Sequence, residues 1–440
     1  MDNGKNYQFS IADYPLKTAP IACLGEVPSH WDAVLLDYLF MENREKNTNI
    51  SEDTILSLSY GKLIVKNGKE NFGLLPASYE TYQIINHGYI VFRFTDMQND
   101  HVSLRVGHAQ DKGIITSAYV GLKPRAEIST KYYYYLFHLL DILKFYYSFG
   151  GGVRQSLNYK GIRNLQLPLP PANEQNAIAN FLDRKTAQID EFIALKKQTI
   201  ALLQEQKTAL INRAVTQGLN PDVPVKDSGI EWLGEIPAHW EVIKLKFIGF
   251  IKYGLGQPPR EKEGGLPIIR ATNVERGKIV TKDLLFVDPE DVPYSRDPIL
   301  REDDIIVVRS GAYTADSAII PREFAGAVTG YDMVVRVDRK NNPGFVAFCL
   351  LADYALNKQL LLLSLRAAQP HLNKEELGNS FILLPPPSEQ HQIVAHIKKA
   401  ITKIDQAIAQ AQQQIALIKE YRESLISQAV TGKIKVIDNG

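Results

Sequence analysis

The side chains best placed to do chemistry in this sequence are basic, amide and hydroxyl groups that accompany short apolar runs. Arg270, Thr272 and Asn273, with Arg276 and Lys278 close behind, follow the apolar run Leu266–Ile269. Arg309, Ser310 and Tyr313 close another, Asp304–Ser310. Ser59, Tyr60 and Lys62, and then Arg93, occupy the matching places earlier in the chain. Arg154 and Gln155 end a glycine-rich run that starts at Gly150, and Arg366 and Gln369 lie in the corresponding later stretch. Arg, Lys, Asn and Gln can hydrogen-bond base edges, while cations and small hydroxyls hold phosphates. These types therefore offer nucleic-acid contact. Taken singly, each also suits a solvated turn.

Bond-making chemistry has no comparable signal. The glycines of SFGGGV (148–153) lack the Lys-Ser/Thr that a phosphate loop needs. No Gly-x-Gly-x-x-Gly opens a helix, and no His-Glu-x-x-His or Cys/His set has metal-ligand spacing. Asp291-Val292-Pro293-Tyr294 departs from the Asp/Asn-Pro-Pro-aromatic tetrapeptide of amino-methyltransferases. His30 and His239 recur beside Trp31 and Trp240, which suits packing or capping better than ligation. The expectation is a non-catalytic chain with no metal or cofactor site of its own.

Composition agrees. The chain has 440 residues, enough for two or more domains, and its 45% hydrophobic and 22% charged content is ordinary for globular cores. Lys+Arg 50 against Asp+Glu 49 leaves a net charge of +1, which excludes a basic arm or an acidic solvating chain. Two distant cysteines, Cys23 and Cys349, give no disulfide framework, which fits a reducing cytoplasm. No secretion signal is visible, and the most apolar stretch, Tyr132–Tyr147, is too short to span a membrane.

The elements that must position these groups come from a tandem repeat. LGEVPSHW (24–31) returns as LGEIPAHW (233–240) at an offset of 209. PPANEQ (170–175) returns as PPPSEQ (385–390) at an offset of 215, and the copies then align without a gap to Thr216 and Thr431, with 19 identities in 47 positions. Each shared segment reads as one long helix, with Pro171 or Pro387 ahead of it, Asn173 or Ser388 as N-cap, and Gly218 or Gly432 as the stop. Alternating steps of three and four run through Ala179, Leu182, Thr186, Ile189, Ile193, Lys196, Ile200, Leu203, Lys207, Leu210 and Ala214. The second copy runs through Val394, Ile397, Ile401, Ile404, Ile408, Ala411, Ile415, Ile418, Arg422, Leu425 and Ala429. Such stripes are coiled-coil seams, and at ~1.5 Å per residue each helix runs roughly 65 Å. The two stripes most simply bury each other. Between the shared blocks lie two diverged segments, strand-like at Tyr89–Phe94, Ile114–Leu122, Asp304–Ser310 and Ala327–Val337, and helical at Thr130–Tyr147 and Gly344–Leu363.

Two diverged heads on two shared spacer helices form a ruler, and duplex DNA with two unlike half-sites is a ligand that fits one. The repeated LGEIPxHW, the LPxPPxxEQ run into a long helix and the AVTxG ending together resemble the specificity subunit of type I restriction–modification systems, across the whole chain. Cys23 departs from the pattern where the second repeat has Trp232. The resemblance implies an α+β protein with two mixed target recognition domains joined by two long helices in an antiparallel coiled coil, a pseudo-twofold tandem repeat. Its expected segments are recognition domain 1 at 1–170, spacer helix 1 at 171–218, linker and recognition domain 2 at 219–385, and spacer helix 2 with the tail at 386–440. It implies a bipartite double-stranded DNA target and two modification subunits carrying S-adenosylmethionine. Restriction subunits using ATP and Mg complete the expected complex, which is cytoplasmic and free of membrane. A structural two-headed adaptor that reads no bases is the alternative.

Overall fold

A computed structural model describes residues 6–59, 61–66, 78–95, 97, 104–125, 127–149, 157–364 and 370–439. The chain divides into two compact units, residues 1–196 with 413–440, and residues 197–412. Each unit holds one diverged segment plus one end of each long helix.

In the first unit a four-stranded antiparallel sheet runs in the order Val106–His108, Ile90–Phe92, Val120–Pro124, Phe40–Glu42. Helix α1 (Thr130–Ile142) packs on it. Apolar and aromatic side chains surround α1 on nearly every side, so it is a core helix rather than an amphipathic one. Tyr132, Leu136, Phe137 and Leu140 sit in one cluster with Phe40 and Phe92. The helix stops short of the expected Tyr147, because Lys144 takes a left-handed φ of 58° and a short 3-10 turn follows. The expected strand Ile114–Leu122 is two strands, Gly113–Ile115 and Val120–Pro124, separated by a turn closed by Tyr119 N–H on the Thr116 carbonyl. Asn6–Ile11 and Ile434–Asn439 pair antiparallel, which ties the two chain ends together.

The second unit has a four-stranded antiparallel sheet in the order Gly249–Tyr253, Met333–Val337, Ile305–Val307, Ser317–Ile319. Beside it Glu261–Ile269 pairs antiparallel with Leu285–Val287 and parallel with Val328–Thr329. The expected strand Ala327–Val337 is therefore interrupted at 330–332. The expected helix Gly344–Leu363 is also broken. Helix α3 (Pro343–Leu351) ends at Ala352, and the segment to Ser364 leaves at 66°. Asn342 caps α3, its side-chain oxygen accepting the Phe345 N–H.

Helix α2 (Ala172–Gln217) and helix α4 (Pro387–Val430) are the two long helices. Each starts ahead of the expected cap, so Asn173 and Ser388 lie in the first turn rather than capping it. Gly218 and Gly432 follow with φ of 74° and 68°, the left-handed conformation that ends a helix. The heptad positions are buried or half-buried throughout; in the middle of each helix most of their neighbours face solvent, while near the ends neighbours such as Phe181 and Ile426 are buried as well. In the first unit Ile178, Ala179, Phe181 and Leu182 of α2 share a core with Leu425, Ile426, Ala429 and Val430 of α4. In the second, Ile211, Ala214 and Val215 share one with Ile393, Val394 and Ile397. Within each unit the start of one helix thus packs against the end of the other. Among the described residues no single helix is long and apolar enough to cross a membrane.

Candidate nucleic-acid interface

The frame that carries the interface is the repeated tryptophan. In the first unit Trp31 is fully buried and donates its indole N–H to Glu174 at 2.9 Å, and His30 Nε2 bonds the same carboxylate at 2.8 Å. In the second, Trp240 and His239 hold Glu389 at 3.2 and 2.7 Å. A Cβ on Gly432 would meet Trp31 at 2.9 Å, and one on Gly218 would meet Trp240 at 3.3 Å. Each indole therefore sits where one long helix begins and the other ends. The next residue completes the joint. Gln175 donates to the Pro170 carbonyl at 2.8 Å and accepts the Ser129 N–H ahead of α1 at 3.0 Å. Gln390 does the same with the Pro385 carbonyl and the Asn342 N–H, at 2.9 and 2.8 Å. The Glu-Gln pair of each repeat thus couples the diverged segment to its helix.

A second joint lies along the helices. Asp190 accepts the Arg422 guanidinium at 2.8 Å and the Lys62 ammonium at 2.8 Å. Asp405 accepts Lys207 at 2.9 Å and Lys278 at 3.0 Å. In each case one cation comes from the facing long helix and the other from a hairpin of the diverged segment. Burial pushes both carboxyls up, but the hydrogen bonds and charges of their paired cations bring both below the ordinary carboxylate value. Lys62 and Lys278, candidates for DNA contact in the sequence, are each ion-paired to a helix carboxylate in this structure. Lys207, inside the apolar stripe, meets a carboxylate, and Lys196 lies over the Phe192 ring at 5.3 Å.

The most distinctive polar surface is in the second unit. The Arg309 guanidinium lies 4.4 Å from the ring centre of Tyr253 and 4.3 Å from that of Tyr331. Its Nη2 reaches His371 Nε2 at 3.2 Å, and its main-chain N–H donates to Asp332 at 3.2 Å. Burial pushes Asp332 up to about 6, against the opposing Arg309 contact. The sandwich depends on glycines. A Cβ on Gly254 would fall 2.0 Å from the Gly330 carbonyl oxygen, so only Gly lets the Tyr253 and Tyr331 segments approach this closely. Tyr253, Tyr313 and Tyr331 are 38%, 49% and 45% exposed, so the cluster opens to solvent. An arginine stacked between aromatic faces is desolvated and oriented, which suits bidentate contact to guanine or phosphate.

The remaining residues divide. Thr272 and Tyr313 are exposed, and Ser310 bridges to His371 beside Arg309. Arg270 lies across Gly330 from the tyrosine segment and donates from Nη2 to the Asp283 carbonyl at 2.9 Å. Arg276 pairs with Asp316 at 3.4 Å. Asn273 is turned inward in this structure. It is fully buried, and its amide serves Arg270 N–H and the carbonyls of Val280 and Lys282. In the first unit Ser59 pairs with Lys62 across a hairpin, and the Arg93 carbonyl accepts the buried Arg105 guanidinium at 3.0 Å. Tyr60, Arg154, Gln155, Arg366 and Gln369 lie outside the described residues. Tyr253, Tyr331, Asp332 and His371 were missed. The two tyrosines carry one signal, a glycine beside each in a sheet-forming stretch.

Comparison with known proteins gives this geometry a context. Residues 109–205 and 237–417, well over half the chain, match the family described as the type I restriction modification DNA specificity domain. The chain belongs to this family. It is 26% identical over 334 residues to the type I restriction enzyme MjaVIII specificity subunit of Methanocaldococcus jannaschii, covering 74% of this chain and 75% of that one. It is 26% identical over 293 residues to the EcoBI specificity subunit of Escherichia coli, covering 63% and 60%. A chain solved in a study of complex assembly and conformational transition of the type I R-M system aligns with TM-score 0.68 at 15% identity, covering 92% of this chain and 99% of that one. The HsdS subunit from Thermoanaerobacter tengcongensis aligns with TM-score 0.51 at 16% identity, covering 92% and 98%. At these identities the solved structures establish the fold. The family match and the curated specificity subunits make this chain a DNA-specificity subunit.

Proposed function

We propose that each unit reads one half of a bipartite, asymmetric DNA site, and that the two long helices, paired as an antiparallel coiled coil, set the gap between the halves. The recurring joint of tryptophan, glutamate and glycine carries this reading. The same joint mounts two heads of unlike sequence, the arrangement expected where distance is fixed and content varies. Asp190 and Lys207 lie seventeen residues apart on the first helix, as Asp405 and Arg422 do on the second. That spacing supports a pseudo-twofold repeat. The chain itself makes and breaks no bonds. Two modification subunits dock on it in the cytoplasm and bring S-adenosylmethionine and the adenine-methylating centre. Restriction subunits, with ATP and Mg, complete the endonuclease. Exposed Leu202 and Leu417, at repeat-equivalent helix positions, offer apolar contacts for such partners.

The test is co-expression with the modification subunit and genome-wide mapping of methylated adenines. Two short defined halves around a fixed undefined gap are expected. A continuous motif overturns the bipartite reading, and no methylation from a complex that assembles and binds its cofactor favours a structural adaptor.

A further inference from the structure

The hairpins at Lys62 and Lys278 belong to diverged segments, yet each sends one lysine to an equivalent helix aspartate. In the second unit Val274–Glu275 and Lys278–Ile279 form the hairpin. A cavity of about 320 Å3 lies beneath it, lined among others by Gly277, Phe348, Leu351 and Ile401. The hairpin packs on the neighbouring strand and on Leu351, and between it and the long helices lies this cavity. The Lys278–Asp405 ion pair, at 3.0 Å, bridges the hairpin to α4. Asp405 also holds Lys207, and Asp190 likewise holds both Lys62 and Arg422. One carboxylate with two cations is a better anchor than an isolated surface pair.

Building on the function proposed above, we propose that Asp190 and Asp405 are positioning residues, each latching its recognition domain to the helix pair at one tilt and so admitting a single gap length. Neither needs to touch DNA. With a latch open, the domain rocks about its tryptophan joint, the two readers shift by about one base-pair step of 3.4 Å, and neighbouring gaps become acceptable. The sequences of the halves, set by the heads, stay the same.

The experiment maps methylated adenines for assembled complexes carrying Asp405→Asn, Lys278→Ala, Lys278→Arg or Lys62→Ala. We expect Asp405→Asn, Lys278→Ala and Lys62→Ala to methylate sites one base pair longer or shorter at least tenfold more often than the parent, with both halves intact. Lys278→Arg restores the single gap. Lys278 is 57% exposed, so its substitution tests the latch even if Asp405→Asn fails to fold. A single gap in every variant overturns the latch. So does a uniform loss of affinity at an unchanged gap, which assigns the lysines to phosphate. If the parent itself shows no split motif, the underlying function reading fails instead.

Discussion

The indole N–H of Trp240 donates to Glu389 at 3.2 Å, so the ring that anchors the second repeat is bonded to the first turn of the long helix it starts. Beside it, Gly218 ends the other long helix at a left-handed φ of 74°, where an added Cβ would lie 3.1 Å from the Glu389 carboxylate and 3.3 Å from the indole. Removing the carboxylate leaves a buried donor without its acceptor, at a cost of about 1–3 kcal/mol. Glu389→Ala should lower the stability of the second unit by that amount, and Trp240→Ala by about 3–5 kcal/mol. Denaturant melts give the size, and hydrogen exchange should confine the loss to residues 197–412 and leave the core around Trp31 protected.

Arg309 should be the strongest single contributor to DNA affinity among the described residues of the second unit. Arg309→Ala in the assembled complex is expected to cost about 1–3 kcal/mol, and to relax preference at one position of one half-site. Arg309→Lys should not rescue, because a lysine keeps the charge but loses the planar stacked fork. Asn273→Ala is the contrasting variant. It should destabilise the fold while leaving base preference unchanged, as its amide is spent on Val280 and Lys282. Competition binding against duplexes altered one base at a time distinguishes the two.

A net charge of +1 predicts weak DNA binding by the isolated chain. Affinity follows the number of phosphates neutralised, and Lys62, Arg276 and Lys278 are each paired to a carboxylate of this chain. Titration of labelled duplex should show a shallow salt slope for the chain alone and a steep one once modification subunits are bound. Tight, site-specific binding by the chain alone would contradict this.

Acid should weaken the first unit. Burial brings His108 and His138 down to about 4 from the ordinary 6.5, with smaller contributions from nearby cations. Between those values the unfolded chain binds protons that the folded chain does not. Stability is therefore full above about 6.5 and falls as pH drops toward 4, by up to about 3 kcal/mol per histidine. Melts at pH 7 and 4.5 should show the drop, and His138→Gln should reduce its slope.

The helices and their mounting were the legible part. Proline starts, glycine stops and an unbroken heptad stripe leave a long helix as the only economical solution, and the repeat of His-Trp announces a shared joint. The sheet-borne site was less legible because tertiary placement decides it. Asn273 reads like an exposed turn amide, but a short 3-10 turn folds it inward. Lys62 and Lys278 read like phosphate binders, but their partners lie over 120 residues away on helices. The Tyr253–Arg309–Tyr331 sandwich joins three separate strand ends, which no local pattern specifies.

The ruler claim is tested most directly by shortening the ruler. Deleting residues 197–203 and 409–415 removes one heptad from each helix and keeps both the Asp190–Arg422 and Lys207–Asp405 pairs in register. At ~1.5 Å per residue the helices lose about 10 Å, or about three base pairs. Mapping methylated adenines should show the same two half-sequences around a gap about three base pairs shorter. An unchanged gap, or altered halves, would contradict the account.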